Sequence, residues 1–387
     1  MTGTVAVVSH RTGQTASATA RYLTPAGAAC SSAPTMAFLR LLADDLTGAL
    51  DTAAEFVPLT GELPVIWHDH GRLAPTESAA LDSGTRECDP ATAAGRVERL
   101  VGHLSGADIA FKKIDSLLRG PTLMEIAACL RSGIWRYCAL APAFPYQGRF
   151  TRAGRQYAGT EPITGDLVAA LRAIGLTAQS GPELKPGITV FDAETDDDLR
   201  RIVTTVRDCS EPVLWIGTGG LAQALAADQS PRTRAPLARP ILGLFGSDQP
   251  ATAAQLVACE PHWLDIADDD FAPVPARLNE TGIVLVSFRL PPDTERMMAA
   301  ARIAGAIQRL SEHVRPPGTI VVAGGETLRS VCDAVGAESL LVTGRLVPGV
   351  PCSTIVGGRW NGVTVVSKSG AFGHKLLLRD LILERTI

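Results

Sequence analysis

The hydrophobic pattern of this chain switches repeatedly between two periods, and this alternation constrains the fold more than any other feature. Short apolar runs of the kind that form buried strands are followed by amphipathic stretches with helical spacing. We predict strands ending at residue 43 and over residues 63–67, 108–112, 137–141, 188–191 and 213–216, a short apolar piece over 79–82, and helices over 46–57, 91–104 and 122–131. This pattern predicts an α/β fold with a mainly parallel sheet, whose functional residues gather at the carboxyl ends of the strands.

A second alternating series follows a charged, proline-spaced stretch over residues 228–240. It is predicted to contain strands over residues 241–245, 283–286, 320–322 and 363–366, and helices over 251–259, 294–313 and 326–335. A chain of 387 residues exceeds what one core usually serves. We therefore predict two α/β domains, a front half over residues 36–230 and a back half over residues 240–387, with the active site in the cleft between them.

Residues 1–35 are rich in Ser, Thr and Ala and contain no acidic residue. We predict that they form a poorly ordered extension, and the alternative is an organelle transit peptide, which has a similar composition. The net charge of -4 and the lack of a basic run argue against nucleic acid or anionic membranes as partners. The 8 cysteines are scattered, so neither a zinc site nor a disulfide framework is predicted. With no apolar run of membrane-spanning length, we expect a cytoplasmic protein.

Two adjacent acids, Asp44 and Asp45, end the first apolar run and precede Thr47. Carboxylates side by side at the end of a buried strand repel each other and lose hydration. A fold usually keeps such a pair where a cation, a metal or a substrate hydroxyl meets it. The alternative is that Asp45 or Thr47 only caps the following helix, and this segment alone leaves both readings open.

Cationic residues follow the next strands of the front half. The segment after residue 111 contains Lys112, Lys113, Asp115, Ser116 and Arg119, and Arg86 follows the apolar piece at residues 79–82. This content suits an anionic ligand, because lysine is scarce elsewhere in the chain. Arg86 and Arg119 could clamp a carboxylate through two parallel donors. The alternatives are a solvated loop and surface ion pairs.

Three small-residue loops follow strands of the back half. They contain Gly246 and Ser247; Gly324, Gly325, Glu326 and Thr327; and Lys368, Ser369 and Gly370. Glycine permits close approach and a helix start is electropositive, so such turns can cradle phosphate. Many turns of this type bind nothing, but three in one domain make a nucleotide site more credible than any one of them.

With its motifs in this order, the chain resembles the four-carbon acid sugar kinase family over residues 36–373. The resemblance is carried by segments 43–49, 112–120, 141–149, 324–327 and 368–373. It implies ATP-dependent phosphorylation of the terminal hydroxyl of a tetronic acid such as erythronate, threonate or an oxotetronate. It also implies substrate contacts by Asp44, Asp45, Arg86, Asp115, Ser116 and Arg119, and ATP contacts by Ser247, Gly324, Gly325, Glu326, Thr327 and Gly370.

A kinase must align the acceptor hydroxyl with the transferred phosphoryl group and spread positive charge over the phosphate oxygens. Our hypothesis is that Asp44 or Asp115 is the base, that Arg86 and Arg119 hold the substrate carboxylate, and that Lys113 with Mg²⁺ neutralises phosphate. Two alternatives are a non-catalytic sensor of sugar acids and a phosphatase, although the adjacent acids do not match the Asp-x-Asp pattern of the latter. We expect a small sugar acid as partner, and leave the preferred acid and a homodimer open.

Overall fold

The computed structural model describes residues 36–68, 73–227, 229, 236–267, 270–291 and 293–383. The predicted extension over residues 1–35 and most of residues 228–235 lie outside this part of the chain. The strands are β1 Leu39–Ala43, β2 Leu63–Ile66, β3 Ala79–Asp82, β4 Ile109–Lys113, β5 Tyr137–Ala141, β6 Arg149–Arg152, β7 Arg155–Ala158, β8 Glu161–Pro162, β9 Ala178–Ser180, β10 Gly187–Val190, β11 Val213–Gly217, β12 Ile241–Phe245, β13 Trp263–Ala267, β14 Ile283–Arg289, β15 Thr319–Ala323, β16 Ser339–Val347, β17 Val350–Val356 and β18 Thr364–Lys368. The helices are α1 Leu46–Thr60, α2 Pro90–Leu100, α3 Thr122–Arg131, α4 Leu167–Ala173, α5 Asp196–Arg207, α6 Gly219–Leu225, α7 Pro250–Val257, α8 Pro273–Thr281, α9 Arg296–His313, α10 Gly325–Val335 and α11 Leu377–Ile382.

One continuous sheet runs through both halves, in the order β13-β14-β12-β15-β18-β17-β16-β2-β3-β1-β4-β11-β5-β10-β9. Neighbouring strands in this sheet pair in parallel, except around β16 and β17, which form an antiparallel hairpin. This hairpin pairs antiparallel with β18 on one side and with β2 on the other. The prediction of an α/β fold with a mainly parallel sheet is confirmed. The pairing of β2 with β16 additionally joins the two halves.

Strand β1 illustrates why the parallel strands read as continuous apolar runs. Leu39, Leu41 and Ala43 pack into one hydrophobic cluster, whereas Leu42 packs into another on the opposite face. Side chains alternate between the faces of a strand, so a strand covered on both faces is apolar at most positions, and Arg40 is the charged exception in β1. The position of β1 in the sheet interior, between β3 and β4, follows from this pattern.

Helix α1 lies where the two halves meet. It packs against β1 and α6 of the front half and against β16 and β17 of the back half. Its N-terminus is capped by Asp45, whose Oδ1 accepts from Gly48 N at 3.0 Å. A buried ion pair between Glu55 and Arg345 joins the helix to β16. The capping role predicted as an alternative for Asp45 is therefore real, and it coexists with the position at the cavity described below.

The observed elements differ from the predicted ones in several places, and strand β13 and helices α4, α6, α8 and α11 are among those that were not predicted. The predicted helix over residues 91–104 ends as an α-helix at Leu100 and continues as a short 3-10 turn over Val101–Leu104. The β16–β17 hairpin lies between the predicted helix over residues 326–335 and the predicted strand over 363–366, where no element was predicted. The small antiparallel sheet β6-β7-β8 was also missed, since its strands are short and polar.

Candidate functional site

The polar motifs of the front half meet at one end of the sheet. Strands β3, β1, β4, β11 and β5 lie side by side in parallel. The segments that follow them bring Arg86, Asp45, Asp115, Thr218 and Phe144 to the wall of one cavity. Their convergence follows from the topology, because parallel strands place all their carboxyl ends at the same side of the sheet.

The glycine loops of the back half meet in the same way, because β12, β15 and β18 are neighbouring parallel strands. Gly324 has a φ of 98°, in the left-handed region that favours glycine, and its amide donates to Lys368 O at 2.9 Å. A β-carbon at Gly370 would clash with Ser247 Oγ, and one at Gly246 would lie 2.9 Å from Thr327 Oγ1. Three loops predicted to bind ATP therefore form one surface.

The acidic loop and the glycine loop face each other. A β-carbon at Gly325 would lie 3.5 Å from Thr47 Oγ1 and 3.6 Å from Asp45 Oδ2. The structure thus brings the predicted substrate-binding and nucleotide-binding segments together. Glu326 is different, because its exposed side chain lies 3.5 Å from Arg296 on helix α9.

The cavity has a volume of about 460 Å³ and is lined by both halves. Its charged lining includes Asp45, Asp51, Arg86, Lys113, Asp115, Arg119, Arg149 and Lys368. Aromatic rings flank it, and the rings of Tyr146 and Phe372, one from each half, stack with centroids 6.4 Å apart. Ser116 also lines the cavity, whereas Asp44 lies buried behind it.

Arg86 organises the acids of the site. Its Nε and Nη2 donate to the two oxygens of Asp44, with Nη2 2.8 Å from Oδ1, and Nη2 also lies 2.9 Å from Asp45 Oδ1. Its Nη1 is 3.2 Å from Asp115 Oδ1. Burial opposes the charge of Arg86, but the carboxylates of Asp45 and Asp44 outweigh it and raise the pKa of Arg86 above its ordinary value. Little donor capacity is left to clamp a substrate carboxylate.

The two acids predicted as alternative bases are held ionised by guanidinium groups. Burial alone would raise the pKa of Asp44, but Arg86 outweighs it and holds that pKa below the ordinary value. Asp115 accepts from Arg119 Nε at 2.7 Å and from Arg119 Nη2 at 2.9 Å. These bonds and the charge of Arg86 outweigh burial and lower the pKa of Asp115. Both carboxylates are consequently weak proton acceptors.

The two lysines at the end of β4 point to opposite faces of the sheet. Lys112 is fully buried, and its Nζ lies 2.6 Å from Glu125 Oε2 on α3, away from the cavity. Lys113 lines the cavity, and its Nζ donates to Ile114 O at 2.9 Å. Within the part of the chain that the structure describes, Lys113 has no salt bridge. Only the second lysine of this pair can therefore meet an anionic ligand in the cavity.

Lys368 was not singled out from the sequence as a site residue, although it is one of the few lysines and lies in a segment that carries the family resemblance. It ends β18, is 2% exposed and lines the cavity. Its Nζ donates to Ser369 O at 3.1 Å and lies 3.3 Å from Thr252 Oγ1, and no described carboxylate forms a salt bridge with it. Burial lowers the pKa of Lys368 to about 8. A buried cation without a counter-charge beside glycine loops is suited to meet phosphate.

Among the described residues, no group of three or more His, Cys, Asp or Glu side chains is arranged to hold a metal ion. The described helices also include none that is long and apolar enough to span a membrane.

Comparison with known proteins agrees with this division of the site. The front half matches the sugar-binding N-terminal domain family over residues 39–178, and the back half matches the nucleotide-binding C-terminal domain family over residues 242–378. These matches define a protein that combines a sugar-binding with a nucleotide-binding part.

Relatives that match this chain over nearly their whole length identify the family. The chain is 30% identical to a D-threonate kinase of Cupriavidus necator, over 87% of this chain and 95% of the relative. It is 28% identical to a D-threonate kinase of Bordetella bronchiseptica, over 88% and 96%, and 29% identical to a 3-oxo-tetronate kinase of Methylobacterium radiotolerans, over 87% and 96%. The chain belongs to the four-carbon acid sugar kinase family, as its motifs predicted.

Solved structures share the fold. A structure from Salmonella typhimurium LT2 described as a putative tRNA synthase superposes with a TM-score of 0.69 at 19% identity, over 88% of this chain and 98% of the other. A Haemophilus influenzae protein of the DUF1537 family superposes with a TM-score of 0.67 at 17% identity, over 90% and 100%.

Proposed function

We propose that this protein is an ATP-dependent kinase that phosphorylates the terminal hydroxyl of a four-carbon sugar acid. The observation that carries the proposal is one cavity, lined by the acid cluster of the front half and by Lys368 and Ser369 of the back half. Two of the residues at its wall, Asp45 and Thr47, also face the glycine loop at Gly325. Phosphoryl transfer needs an acceptor and a triphosphate in one enclosure, with cations near the transferred group. The relatives named as threonate and oxotetronate kinases support the same reaction class.

In this proposal, residues 36–230 bind the sugar acid and residues 240–387 bind ATP. Ser247, Gly324, Gly325, Thr327 and Gly370 form the triphosphate surface, and Lys368 supplies its positive charge. Lys368 is the most buried of the cations that line this side of the cavity. Glu326 would contribute through its backbone at the start of α10, because its side chain is directed toward Arg296.

On the acceptor side, we assign the substrate carboxylate to Lys113 and Arg119. The side chain of Arg119 is 58% exposed and keeps donors beyond those used by Asp115. Arg86 is assigned a supporting role, since it fixes Asp44, Asp45 and Asp115 in place. Ser116, between the two charged groups in sequence, lines the cavity and can bind a hydroxyl of the acid.

Mg²⁺ is commonly held by one or two carboxylates together with substrate phosphates and water. Asp45 fits this donor set, because its carboxylate lies beside Gly325 and is partly exposed to the cavity. Asp45 would therefore hold the ion with the nucleotide. When bound, Mg²⁺ supplies charge neutralisation at the phosphate oxygens.

The test is a panel of four-carbon sugar acids with ATP and Mg²⁺, in which ADP release is measured and the product is examined by phosphorus NMR. We expect ADP release with one or a few acids and a phosphate ester at the terminal carbon. Phosphate release from the phosphorylated acids without ADP formation would indicate a phosphatase. Binding of an acid without either reaction would indicate a sensor, and each of these outcomes rejects the proposal.

A matched pair of variants separates the site role of Asp45 from its capping role. Asp45 caps α1 and Asp89 caps α2, where Asp89 Oδ1 accepts from Thr92 N at 3.0 Å away from the cavity. Asn caps helices about as well as Asp, so both Asp45→Asn and Asp89→Asn should fold normally. Asp45→Asn should lose about a hundredfold or more in turnover by removing a charge from the site. Asp89→Asn should match the wild type.

A further inference from the structure

The cavity contains a third carboxylate that the sequence motifs did not single out. Asp51 lies one turn after Thr47 and Gly48 on α1, so the three share one face of the helix, and all three line the cavity. A β-carbon at Gly219 would lie 3.3 Å from Asp51 Oδ2. Asp51 therefore stands between the start of α1 and the start of α6, in contact with the space where an acceptor must bind.

The surroundings of Asp51 differ from those of the other acids. In the described part of the chain it forms no salt bridge, whereas Asp44 and Asp115 are each bonded to a guanidinium group. The charged groups that face it are Lys113 from β4, Arg345 from β16 and Asp45 from the loop before α1. Arg345 is already paired with Glu55. Asp51 also accepts a hydrogen bond from the backbone of Gly349, and its remaining lone pairs are available to a substrate hydroxyl.

Its proton affinity is shifted in the direction that a base requires. Burial raises the pKa of Asp51 above its ordinary value and Asp45 adds to the rise. The charges of Lys113 and Arg345 and the backbone hydrogen bond from Gly349 offset only part of it. A general base works best when its pKa approaches the operating pH. Asp44 and Asp115 are shifted in the opposite direction.

We infer that Asp51 is the catalytic base of the reaction, an assignment that rests on the proposed kinase function. The carboxylate of Asp51 accepts the proton of the terminal hydroxyl. The hydroxyl oxygen forms the new bond to the γ-phosphorus while the bond from that phosphorus to the bridging oxygen breaks, and ADP leaves with the electron pair. Asp51 then returns its proton to solvent.

The experiment compares Asp51→Asn with Asp44→Asn and Asp115→Asn under saturating ATP and acid, with folding checked by circular dichroism. We expect Asp51→Asn to lower kcat by about 10²–10⁴-fold with little change in either KM, which is the usual range for loss of a general base. The acid limb of the wild-type profile of kcat against pH should disappear in this variant. Asp115→Asn should act mainly on KM for the acid.

A second variant gives a readout that a structural role would not produce. In Asp51→Ala, added formate can occupy the vacated space and accept the proton, so turnover should rise with formate concentration. Turnover of Asp51→Asn within threefold of the wild type, an unchanged acid limb, or no formate rescue would each overturn the assignment. If the wild type is active and a variant gives one of these results, the assignment of Asp51 as the base is rejected and the kinase function stands. A wild type that phosphorylates no acid rejects the kinase function and the inference with it.

Discussion

Lys112 and Lys113 allow a sharp test of the structure. Although they are adjacent and of the same type, Lys112 should matter for folding stability and Lys113 for activity. Replacing Lys112 by Met leaves Glu125 buried without its counter-charge, 1% exposed among apolar side chains. Breaking a buried pair from one side typically costs about 3–5 kcal/mol of unfolding free energy. Lys113→Met removes one hydrogen bond to a backbone carbonyl beside the cavity, which is worth about 1 kcal/mol.

The assay is urea unfolding at neutral pH followed by far-ultraviolet circular dichroism, with kinase turnover measured on the same preparations. Lys112→Met should lose the larger part of its stability, and the double variant Lys112→Met with Glu125→Met should recover most of that loss, because both buried charges are gone. Lys113→Met should unfold near the wild type but lose about a hundredfold in kcat/KM for the acid, because it removes a cation assigned to the substrate carboxylate. Equal midpoints for the two single variants, or additive losses in the double variant, would refute the assigned orientations.

Two further predictions concern titrating groups. Burial raises the pKa of Asp82, which pairs with Arg329 across the two halves, from 3.8 to about 6. The folded state therefore holds this proton more tightly, and the unfolding free energy contributed by Asp82 should fall by about 3 kcal/mol as pH rises from about 4 to about 6. The stability difference between wild type and Asp82→Asn, measured by urea unfolding, should follow this curve; a difference independent of pH contradicts it. Lys368→Met should raise KM for ATP at least tenfold, about 1.4 kcal/mol, and leave KM for the acid unchanged. Calorimetry above about pH 8 should show proton uptake on ATP binding by the wild type and none by the variant, whereas uptake by both would exclude Lys368 as the responsive group.

The alternation of apolar periods was sufficient to predict the class of fold. It was sufficient because parallel strands buried on both faces, such as β12, leave an uninterrupted apolar signal. The rule that strand ends converge also predicted that Asp45 and Arg86 would lie near one another. The sequence pattern did not predict the β16–β17 hairpin, because its pairing with β2 joins segments that are far apart in the chain.

Side-chain partners within the site could not be read from the sequence. The motif around Arg86 suggested a clamp for a substrate carboxylate, but only the folded chain shows that three aspartates occupy this guanidinium. The same holds for Asp51, which looks like an ordinary polar position of an amphipathic helix. Its significance depends on burial and on the absence of a salt bridge among the described residues, and both are properties of the packed structure.

The antiparallel pairing of β2 with β16 also decides whether the two halves can exist apart. Val65 pairs with Leu340, and Leu63 pairs with Val342. If the chain were cut in the connector over residues 228–240, β2 and β16 would become exposed edge strands. Their backbone amides and carbonyls would have no partners, and apolar side chains would lie beside them. Exposed edge strands pair with strands of other molecules, so each isolated fragment should self-associate rather than stay a folded monomer.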